Sequence, residues 1–448
     1  QQDPVDGSWD HHVGKTGFAV LKFETHAIQH NIDPLHPTYT YYPQVMGGLN
    51  YIFANAYTMA IGMQPYGDPD TDKDGIGVYF VTGGPTGFHR SYETGIAMMA
   101  IASSTHPGAV VNVPGSAVDG WKYKAVVQDA VDYLAFGQND AGAARGGWGY
   151  YENYVGWSDN SNTGYPVLGL GYAQAPSPGG FELTIPDFVK NELDVWIEYI
   201  QNKDGIGWYA DPVGGSGYED PHSWVNILKT GNLLYEMRFV TDTKSTPRVM
   251  AAINYLVRHW NDLNDDPGWR GDKGIDDDGD GKVDEDRGIV ASYQAMYCTM
   301  KGLEAFGIEK IDGIDWQADF ETVLIAQQNP DGSWPPCIWG DSILATEWAL
   351  LTLEKAVPPP PPPTLKEVKD EIKAIEDKLD NYLPAIELKL DKILDFWLPE
   401  IKKEIEHIEW KLDYTIDKET VDVQILTGKD MGTGTQIIKN KFVYYMMT

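Results

Sequence analysis

Residues 327–334 read Gln-Gln-Asn-Pro-Asp-Gly-Ser-Trp, and an apolar stretch with helical composition follows them at 341–356. The same kind of turn, built on Gly and usually Trp, occurs six times along the chain, each time before an apolar helical stretch. One period holds two helices and one turn over roughly 60 to 70 residues, which indicates a repeat architecture. The six turns lie at 5–9, 73–77, 146–149, 203–208, 266–269 and 330–334.

The helices that this repeat predicts are of two kinds. Six are apolar on nearly every face and rich in Ala, Gly, Leu and Thr, so we expect them to be buried. Five are amphipathic and carry aromatic residues on one side, which predicts an outer ring of helices around an inner one. We expect inner helices at 16–30, 91–103, 163–172, 223–239, 289–306 and 341–356, and outer helices at 44–57, 117–136, 186–201, 246–260 and 316–328.

This pattern resembles the α/α-toroid of the repeat group that contains terpenoid cyclases and protein prenyltransferases. The segment 327–334, with Ala-Thr-Glu-Trp-Ala-Leu-Leu after it at 345–351, is similar to that group's commonest repeat. The resemblance extends over about residues 1–356 and implies a fold rather than an activity. We therefore expect a mainly α protein with an α/α-toroid of about six helical-hairpin repeats at 1–357.

The motifs that define the activities of this group are absent. The resemblance to class II terpene cyclases implies an Asp-x-Asp-Asp acid, but Gly279 interrupts the only dense Asp cluster of this chain. The resemblance to protein prenyltransferases implies a zinc-binding Asp-x-Cys pair, but Met296 stands two residues before Cys298 and Pro335 two before Cys337. The two cysteines form either a disulfide or two isolated thiols. We predict neither activity and favour a function that is not enzymatic.

The first turn has no outer helix before it, so the predicted ring has six inner helices and five outer ones. Two explanations are open for the resulting gap. Either a nearby segment covers it, or a helix from the C-terminal region or from another copy of the chain fills it.

The charge of the chain restricts its partners. The 448 residues carry a formal net charge of -32, which argues against binding to nucleic acid or to an anionic membrane surface. An excess of carboxylates suits a calcium-rich exterior, so we expect a secreted or cell-surface protein. No segment has the roughly 20 uninterrupted apolar residues of a membrane span.

The most specific chemical motif is an acidic segment within an insertion at 272–288. Asp276, Asp278 and Asp280 alternate, so their oxygens can point at one centre, and Gly281 permits a sharp turn between them. The segment resembles the EF-hand-like calcium loops of secreted proteins, but Arg287 replaces the Glu at position twelve. We predict calcium there, with ligands from Asp276, Asp278, Asp280, the Lys282 carbonyl, Asp284, Glu285 and Asp286.

A second candidate calcium segment overlaps the turn of the second repeat. Asp70, Asp72 and Asp74 alternate before Gly75 and can direct their oxygens at one ion. The fourth repeat has the turn 202–207 without the extra carboxylates, so the turn alone also explains this segment. Both readings stay open.

The loops that enter the inner helices are rich in polar and aromatic residues. A zinc or acid–base site from His89, His222 and Asp341 is one hypothesis, and helix caps with solvated histidines are the other. The aromatic residues either pack the long loops or form a shallow site for carbohydrate or peptide. The polar group is His11, His12, His89, Glu152, Asp159, Glu219, His222 and Asp341; the aromatic group is Trp148, Tyr150, Tyr151, Trp157, Trp208, Tyr209, Trp224 and Trp339.

The C-terminal part has a different character. Six prolines at 358–363 predict a stiff linker, and apolar residues at spacings of three and four predict a coiled coil or helical bundle at 364–419. Alternating β-branched and aromatic residues at 420–448 predict a β-hairpin or two strands, which are marginal unless they join another chain. The first residues of the helical seam are Leu365, Val368, Ile372, Ile375 and Leu379.

These observations lead to one main prediction and two alternatives. The main prediction is a secreted or cell-surface structural protein whose C-terminal segment assembles copies of the chain into a filament, stalk or surface layer. The calcium-stabilised toroid is then its exposed body. The alternatives are an enzyme that acts at the loop face of the toroid and a module that binds a cell-surface glycan or peptide.

Overall fold

The computed structural model describes residues 1–154, 156–263, 268–273 and 288–356, together with isolated positions between 369 and 403. The chain divides into two units, Gln1–Glu367 and Val368–Thr448. The described part of the first unit is mainly helical. Its helices are α1 Val13–Gln29, α2 Tyr42–Ala54, α3 Arg90–Ser103, α4 Tyr123–Gly137, α5 Asn160–Gln174, α6 Asp187–Ile200, α7 Ile227–Phe239, α8 Pro247–His259, α9 Tyr293–Ala305, α10 Trp316–Gln327 and α11 Ser342–Leu353.

The odd-numbered helices form a closed ring. Each of α1, α3, α5, α7 and α9 packs against the next odd-numbered helix, and α11 packs back against α1. The even-numbered helices lie outside this ring: α2 contacts α1 and α3, α4 contacts α3 and α5, and both α6 and α8 contact α7. This arrangement is an α/α-toroid, so the predicted architecture of the first unit is confirmed.

Glycines let the inner helices approach closely. A Cβ atom on Gly95 of α3 would lie 2.3 Å from the backbone oxygen of Tyr165 in α5. A Cβ on Gly231 of α7 would lie 2.5 Å from the backbone nitrogen of Thr299 in α9. Backbone atoms cannot move aside as a side chain can, so these contacts require glycine. This explains why the helices predicted to be inner are rich in small residues.

Each of the eleven predicted helices is present, but three begin at least four residues later than predicted. The helix predicted from 117 begins at Tyr123, because Gly120 adopts a φ of 81° and 110–122 form a loop closed by pairing of Val110 with Lys122. The helix predicted from 223 begins at Ile227, where the side chain of Asn226 accepts a hydrogen bond from the Lys229 N–H. The helix predicted from 289 begins at Tyr293, where the side chain of Ser292 accepts a hydrogen bond from the Ala295 N–H.

Two strands were not predicted. Strand β1 (Ala56–Ala60) pairs antiparallel with β2 (Ile76–Phe80), with Ala56 opposite Phe80. The outer helix predicted to reach residue 57 therefore ends at Ala54. The β2 strand packs against α4, and Gly77 lies so close to Tyr133 that an added Cβ would be 3.0 Å from the Tyr133 Cβ.

Several predicted features lie outside the described residues. These are the acidic loop from Asp276 to Asp286, the proline linker at 358–363, most of the helical segment 364–419 and the strand segment 420–448. Cys298 and Cys337 are described, and both are free thiols. None of the described helices has the length and hydropathy needed to span a membrane.

Candidate functional site

A pocket of about 510 Å³ lies where the inner helices begin. All six inner helices contribute a side chain from near their N-terminal ends, and the loops before them supply aromatic residues. The peptide dipoles of these helices therefore direct their positive ends towards the pocket. The lining residues are His12, Gly14, Lys15, Phe18, His89, Tyr92, Ile96, Tyr150, Ser161, Asn162, Tyr165, Tyr218, Trp224, Leu228, Lys229, Gln294, Trp339, Leu344 and Trp348.

Side chains cap five of these six helices, and α3 is the exception. Asp159 accepts hydrogen bonds from the backbone N–H groups of Ser161 and Asn162 at the start of α5. Asp341 does the same for the second and third residues of α11. His12 caps α1 by accepting the Gly14 N–H at Nδ1, 3.1 Å away. This bond fixes the tautomer of neutral His12, because an accepting Nδ1 leaves the proton on Nε2.

Two histidines flank a buried carboxyl group at one side of the pocket. Oε1 of Glu93 lies 3.8 Å from Nε2 of His12 and 3.9 Å from Nδ1 of His89. The Glu93 side chain is buried, and its Oε2 accepts hydrogen bonds from the backbone and hydroxyl of Thr82. Oε1 has no hydrogen-bond partner among the described residues. The free oxygen therefore faces the two imidazoles.

Burial sets the protonation of this group. It raises the pKa of Glu93 to about 7, although the Thr82 hydrogen bonds act in the opposite direction. Burial, with help from the charge of Lys15, lowers the pKa of His12 to about 4, and burial also lowers the pKa of His89. Both imidazoles are therefore neutral at pH 7, so their contacts with Glu93 are not ion pairs. Glu93 can therefore exchange a proton near neutral pH, and the neutral imidazoles of His12 and His89 lie beside it.

The lysines of the pocket region lie in different surroundings. Lys15 forms ion pairs with Asp10 and Asp341. The Lys229 ammonium lies 5.5 Å from the ring centre of Tyr218. Lys301 is buried below them, 4.3 Å from the ring centre of Tyr297, and burial lowers its pKa to about 8. The positive charge near the pocket is thus matched by carboxylates or aromatic faces.

Aromatic rings surround the mouth of the pocket. Trp224 and Trp339 line it while 37% and 68% exposed, respectively. Trp224 packs edge-on against Trp208 at 5.7 Å between ring centres, and Tyr150 stacks on Trp157 at 5.0 Å. Exposed and partly exposed aromatic rings at a concave site are typical of a binding surface.

Two of these aromatic residues have an unusual backbone conformation. Trp224 and Trp339 have φ angles of 49° and 67°, in the left-handed region that bulky residues rarely adopt. Such conformations cost roughly 1–3 kcal/mol each and are concentrated at ligand sites. The backbone therefore holds both rings at the mouth at a cost in stability.

The second candidate region lies on the outer ring. One carboxylate oxygen from each of Asp70, Asp72 and Asp74 lies within 4.8 Å of the others. Asp70 accepts the backbone N–H groups of Lys73 and Gly75, which folds the segment into a compact loop. The sequence prediction that these three carboxylates converge agrees with this geometry. No ligand is part of the structure, so calcium at this place stays a prediction.

Two further carboxylates from α4 face this loop. Asp129 and Asp132 are buried, and burial together with the neighbouring Asp residues raises the pKa of Asp129 to about 8. Burial raises the pKa of Asp132 to about 7, although hydrogen bonds from Thr71 act against this. Burial and the charge of Asp74 raise the pKa of Asp72 as well.

The predicted polar residues of the loop face are only partly brought together. The hypothetical zinc group does not form, since His222 pairs with Asp204 and Asp341 pairs with Lys15. His12 and His89 reach the pocket, whereas the others pair locally: His11 with Asp6, Glu152 with Arg90 and Glu219 with the Trp157 indole N–H. Asp159 and Asp341 act as the helix caps of the alternative hypothesis.

Sequence reasoning missed Glu93, Asp129 and Asp132. Each carried a readable signal, because each is an acidic residue on an otherwise apolar helical face. A buried carboxylate without a basic partner is rare in proteins and marks a site for closer attention. In α4 the spacing of three residues also places both carboxylates on one face.

Comparisons with known proteins identify no family. No protein-family model matches the chain. No curated protein matches it either. Among solved structures, it is similar to the Candida albicans protein geranylgeranyltransferase-I complexed with GGPP, with 12% identity, a TM-score of 0.44, and coverage of 75% of this chain and 83% of that chain. It is also similar to cellobiose 2-epimerase from Spirochaeta thermophila, with 14% identity, a TM-score of 0.41, and coverage of 80% and 92%. At such identities a likeness concerns the fold alone.

Proposed function

We propose that the toroid is a binding module that holds a saccharide in its central pocket, and that the C-terminal segment assembles copies of the chain. In this proposal the protein is secreted or lies at the cell surface. The assembled copies present many pockets, so that weak single contacts add up to strong attachment.

The observation that carries the binding proposal is the composition of the pocket. Trp224 and Trp339 form an apolar mouth, and hydrogen-bonding groups such as Asn162 and Gln294 lie further in. Sugar rings combine apolar C–H faces with hydroxyl groups, so this division of the lining matches their two kinds of surface. The pocket volume of about 510 Å³ is in the usual range for small-ligand sites.

The electrostatics of the pocket favour an uncharged ligand. His12 and His89 are neutral at pH 7, and Lys15 is already paired with two carboxylates. The ammonium of Lys229 lies against the aromatic faces of Tyr218 and Trp224. The net charge of -32 further disfavours polyanions. Hydroxyl groups, which both donate and accept hydrogen bonds, suit a lining of amides, imidazoles and phenols.

The test is retention of the fluorescently labelled full chain on a glycan array, followed by titration with the retained saccharide. We expect binding by the parent protein, quenching of tryptophan fluorescence, and loss of retention in a Trp224→Ala, Trp339→Ala double variant. A folded parent protein that retains no glycan, or a double variant that binds as well as the parent, contradicts the proposal.

The assembly proposal rests on the helical seam of the second unit. Ile372, Leu379 and Ile401 belong to its apolar pattern, and they are 51%, 58% and 48% exposed in the single chain. Apolar seams of this spacing are normally covered by a partner helix. We propose that other copies of the chain provide this cover.

Light scattering of the full chain tests the assembly proposal. We expect particles larger than a monomer, and we expect Ile372→Glu together with Leu379→Glu to reduce them to monomers. A matched variant with Lys373→Glu, which lies beside the seam, should assemble as the parent does. A parent protein that is monomeric both in calcium and in chelator would contradict the assembly proposal.

A second candidate function is enzymatic conversion of the bound saccharide. The placement of the Glu93 carboxyl between His12 and His89 favours it, because proton transfer needs such groups close to the ligand. Chromatography of the retained saccharide after incubation tests it. A product that forms with the parent protein but not with Glu93→Gln supports catalysis, and an unchanged saccharide leaves binding as the function.

A further inference from the structure

The loop at 68–75 and helix α4 bring carboxylates together from two separate parts of the first unit. Asp129 and Asp132 lie three residues apart on one face of α4. Oxygens of Asp72, Asp129 and Asp132 lie within 4.8 Å of one another, as do those of Asp70, Asp72 and Asp74. Asp72 belongs to both groups, so the five carboxylates form one continuous cluster.

The two α4 carboxylates are buried, which separates this cluster from an ordinary acidic surface. Asp129 is 2% exposed and Asp132 is 0% exposed. The Oδ1 atom of Asp129 has no hydrogen-bond partner in the described part of the chain. A buried oxygen without a partner costs roughly 1–3 kcal/mol, and more when it is charged. This oxygen is therefore available to bind a further group.

The neighbouring residues satisfy Asp132 but not Asp129. Thr71 donates its backbone N–H and its hydroxyl to Asp132, at 2.9 Å each. The nearest basic residue in the loop is Lys73, whose ammonium donates to Asp68 Oδ2 and to the Asp70 carbonyl. Within the described ranges, no lysine or arginine forms an ion pair with Asp129 or Asp132. The residues that the structure describes thus supply no ion-paired lysine or arginine to the centre of the cluster.

The chemistry of the donors selects the kind of ion. Every side chain offered is a carboxylate, with neither imidazole nor thiolate, which disfavours zinc. Calcium takes six to eight oxygen ligands in flexible geometry, whereas magnesium keeps several waters and binds few carboxylates. A loop with alternating aspartates beside two helical carboxylates offers enough oxygens for calcium.

We propose that Asp129 and Asp132 of α4 join Asp70, Asp72 and Asp74 to bind one calcium ion. The ion fastens the loop before β2 to the outer helix α4. Its ligands are other residues than those of the predicted loop at 276–286 and those that line the central pocket, so neither the glycan-binding proposal nor its failure bears on it.

The experiment measures calcium binding and unfolding of the full chain in a background that removes the other predicted loop. That background carries Asp276→Asn, Asp278→Asn and Asp280→Asn. In it we expect calorimetric titration with calcium chloride to show one site, and magnesium chloride to bind at least tenfold more weakly. Adding Asp129→Asn should weaken calcium binding at least tenfold, because a buried carboxylate ligand is lost.

The unfolding temperature separates a calcium ligand from a merely structural residue. In chelator, Asp129→Asn should unfold at the same or a higher temperature, since it removes a buried carboxyl without changing the shape of the side chain. In calcium the order should reverse, with the background protein unfolding at the higher temperature. A structural role alone would give the same order in both solutions.

The matched control is Asp312→Asn in the turn between α9 and α10, which removes one exposed charge between two helices that form no extensive packing contact with α4 or β2. It should bind calcium like the background protein. Asp72→Asn provides a second ligand variant at an exposed position if Asp129→Asn does not fold. The proposal is overturned if the background protein binds no calcium, or if calcium binds and stabilises the ligand variants and the background protein equally.

Discussion

The inner and outer rings of the toroid bury ionisable groups in opposite ways. On the inner ring, Glu93 lies among neutral imidazoles, hydroxyl groups and aromatic faces at an open pocket. On the outer ring, Asp129 and Asp132 lie among further carboxylates. Burial raises the pKa of all three acids, but their neighbours differ in donors and charge. Mixed donors and acceptors suit an organic ligand, whereas carboxylates alone suit a cation.

The largest expected effect is on the pH dependence of the free energy of unfolding, and it tests the inner-ring acid Glu93. The pKa of Glu93 rises from 4.5 to about 7 on folding. The stability that its protonated carboxyl contributes is therefore fully present below pH 4.5 and is lost as the pH rises through 7. The loss amounts to about 3 kcal/mol. Between pH 4.5 and 8, the free energy of urea unfolding should fall less in Glu93→Gln than in the parent protein, by roughly this amount.

The control for this prediction is Glu321→Gln on the outer helix α10, where the carboxylate is exposed. Its stability should change with pH in parallel with the parent protein. If Glu93→Gln also follows the parent curve, the carboxyl of Glu93 is not held in the buried state described here.

The next effect tests the close packing of the inner ring. Gly231→Ala places a Cβ against the backbone of α9, so we expect α7 and α9 to separate at a cost of about 2 kcal/mol. Gly62→Ala is the matched control, because a Cβ there meets no atom within 4 Å. Thermal and urea unfolding measure both variants. Equal stability of the two variants would show that the inner helices tolerate looser packing.

A smaller effect tests which aromatic residues matter at the mouth. Trp339→Ala should weaken binding of the retained saccharide by about 1 kcal/mol, or roughly fivefold, because one stacking face is lost. Trp208→Ala should change the affinity less, since Trp208 contacts Trp224 but does not line the pocket. Fluorescence titration compares the two. The reverse order of effects would place the binding surface outside the pocket.

The smallest effect concerns the ion pair that joins the last inner helix to the first. Asp341→Asn keeps an oxygen that can cap α11 but removes the charge that pairs with Lys15. Because Asp341 is 48% exposed, we expect a loss of only about 0.5 kcal/mol. Urea unfolding at low and high salt measures it, and the loss should shrink in high salt. A salt-independent loss would assign it to capping.

The sequence predicted the helices well because the apolar pattern and the Gly/Trp turns are local signals. It predicted the convergence of Asp70, Asp72 and Asp74 for the same reason, since alternation within one loop is visible in the chain. It missed β1, because the five residues Ala56–Ala60 continue an apolar helix and become a strand only by pairing with β2. It also missed Asp129, because the carboxylate that lies beside it belongs to a loop more than fifty positions earlier in the chain.

The ion pairs between α1 and the end of the toroid have a consequence for how the molecule forms. Lys15 contacts Asp341 and Lys22 contacts Glu354, over separations of 326 and 332 residues. During synthesis, all the other inner helices must emerge before these partners exist. The contacts that close the circle therefore carry the full entropic cost of a very long loop, and we expect closure to be a late step of folding. Until then the pocket lacks the residues that α11 contributes, Leu344 and Trp348. We therefore expect the chain to bind its ligand only after the ring has closed.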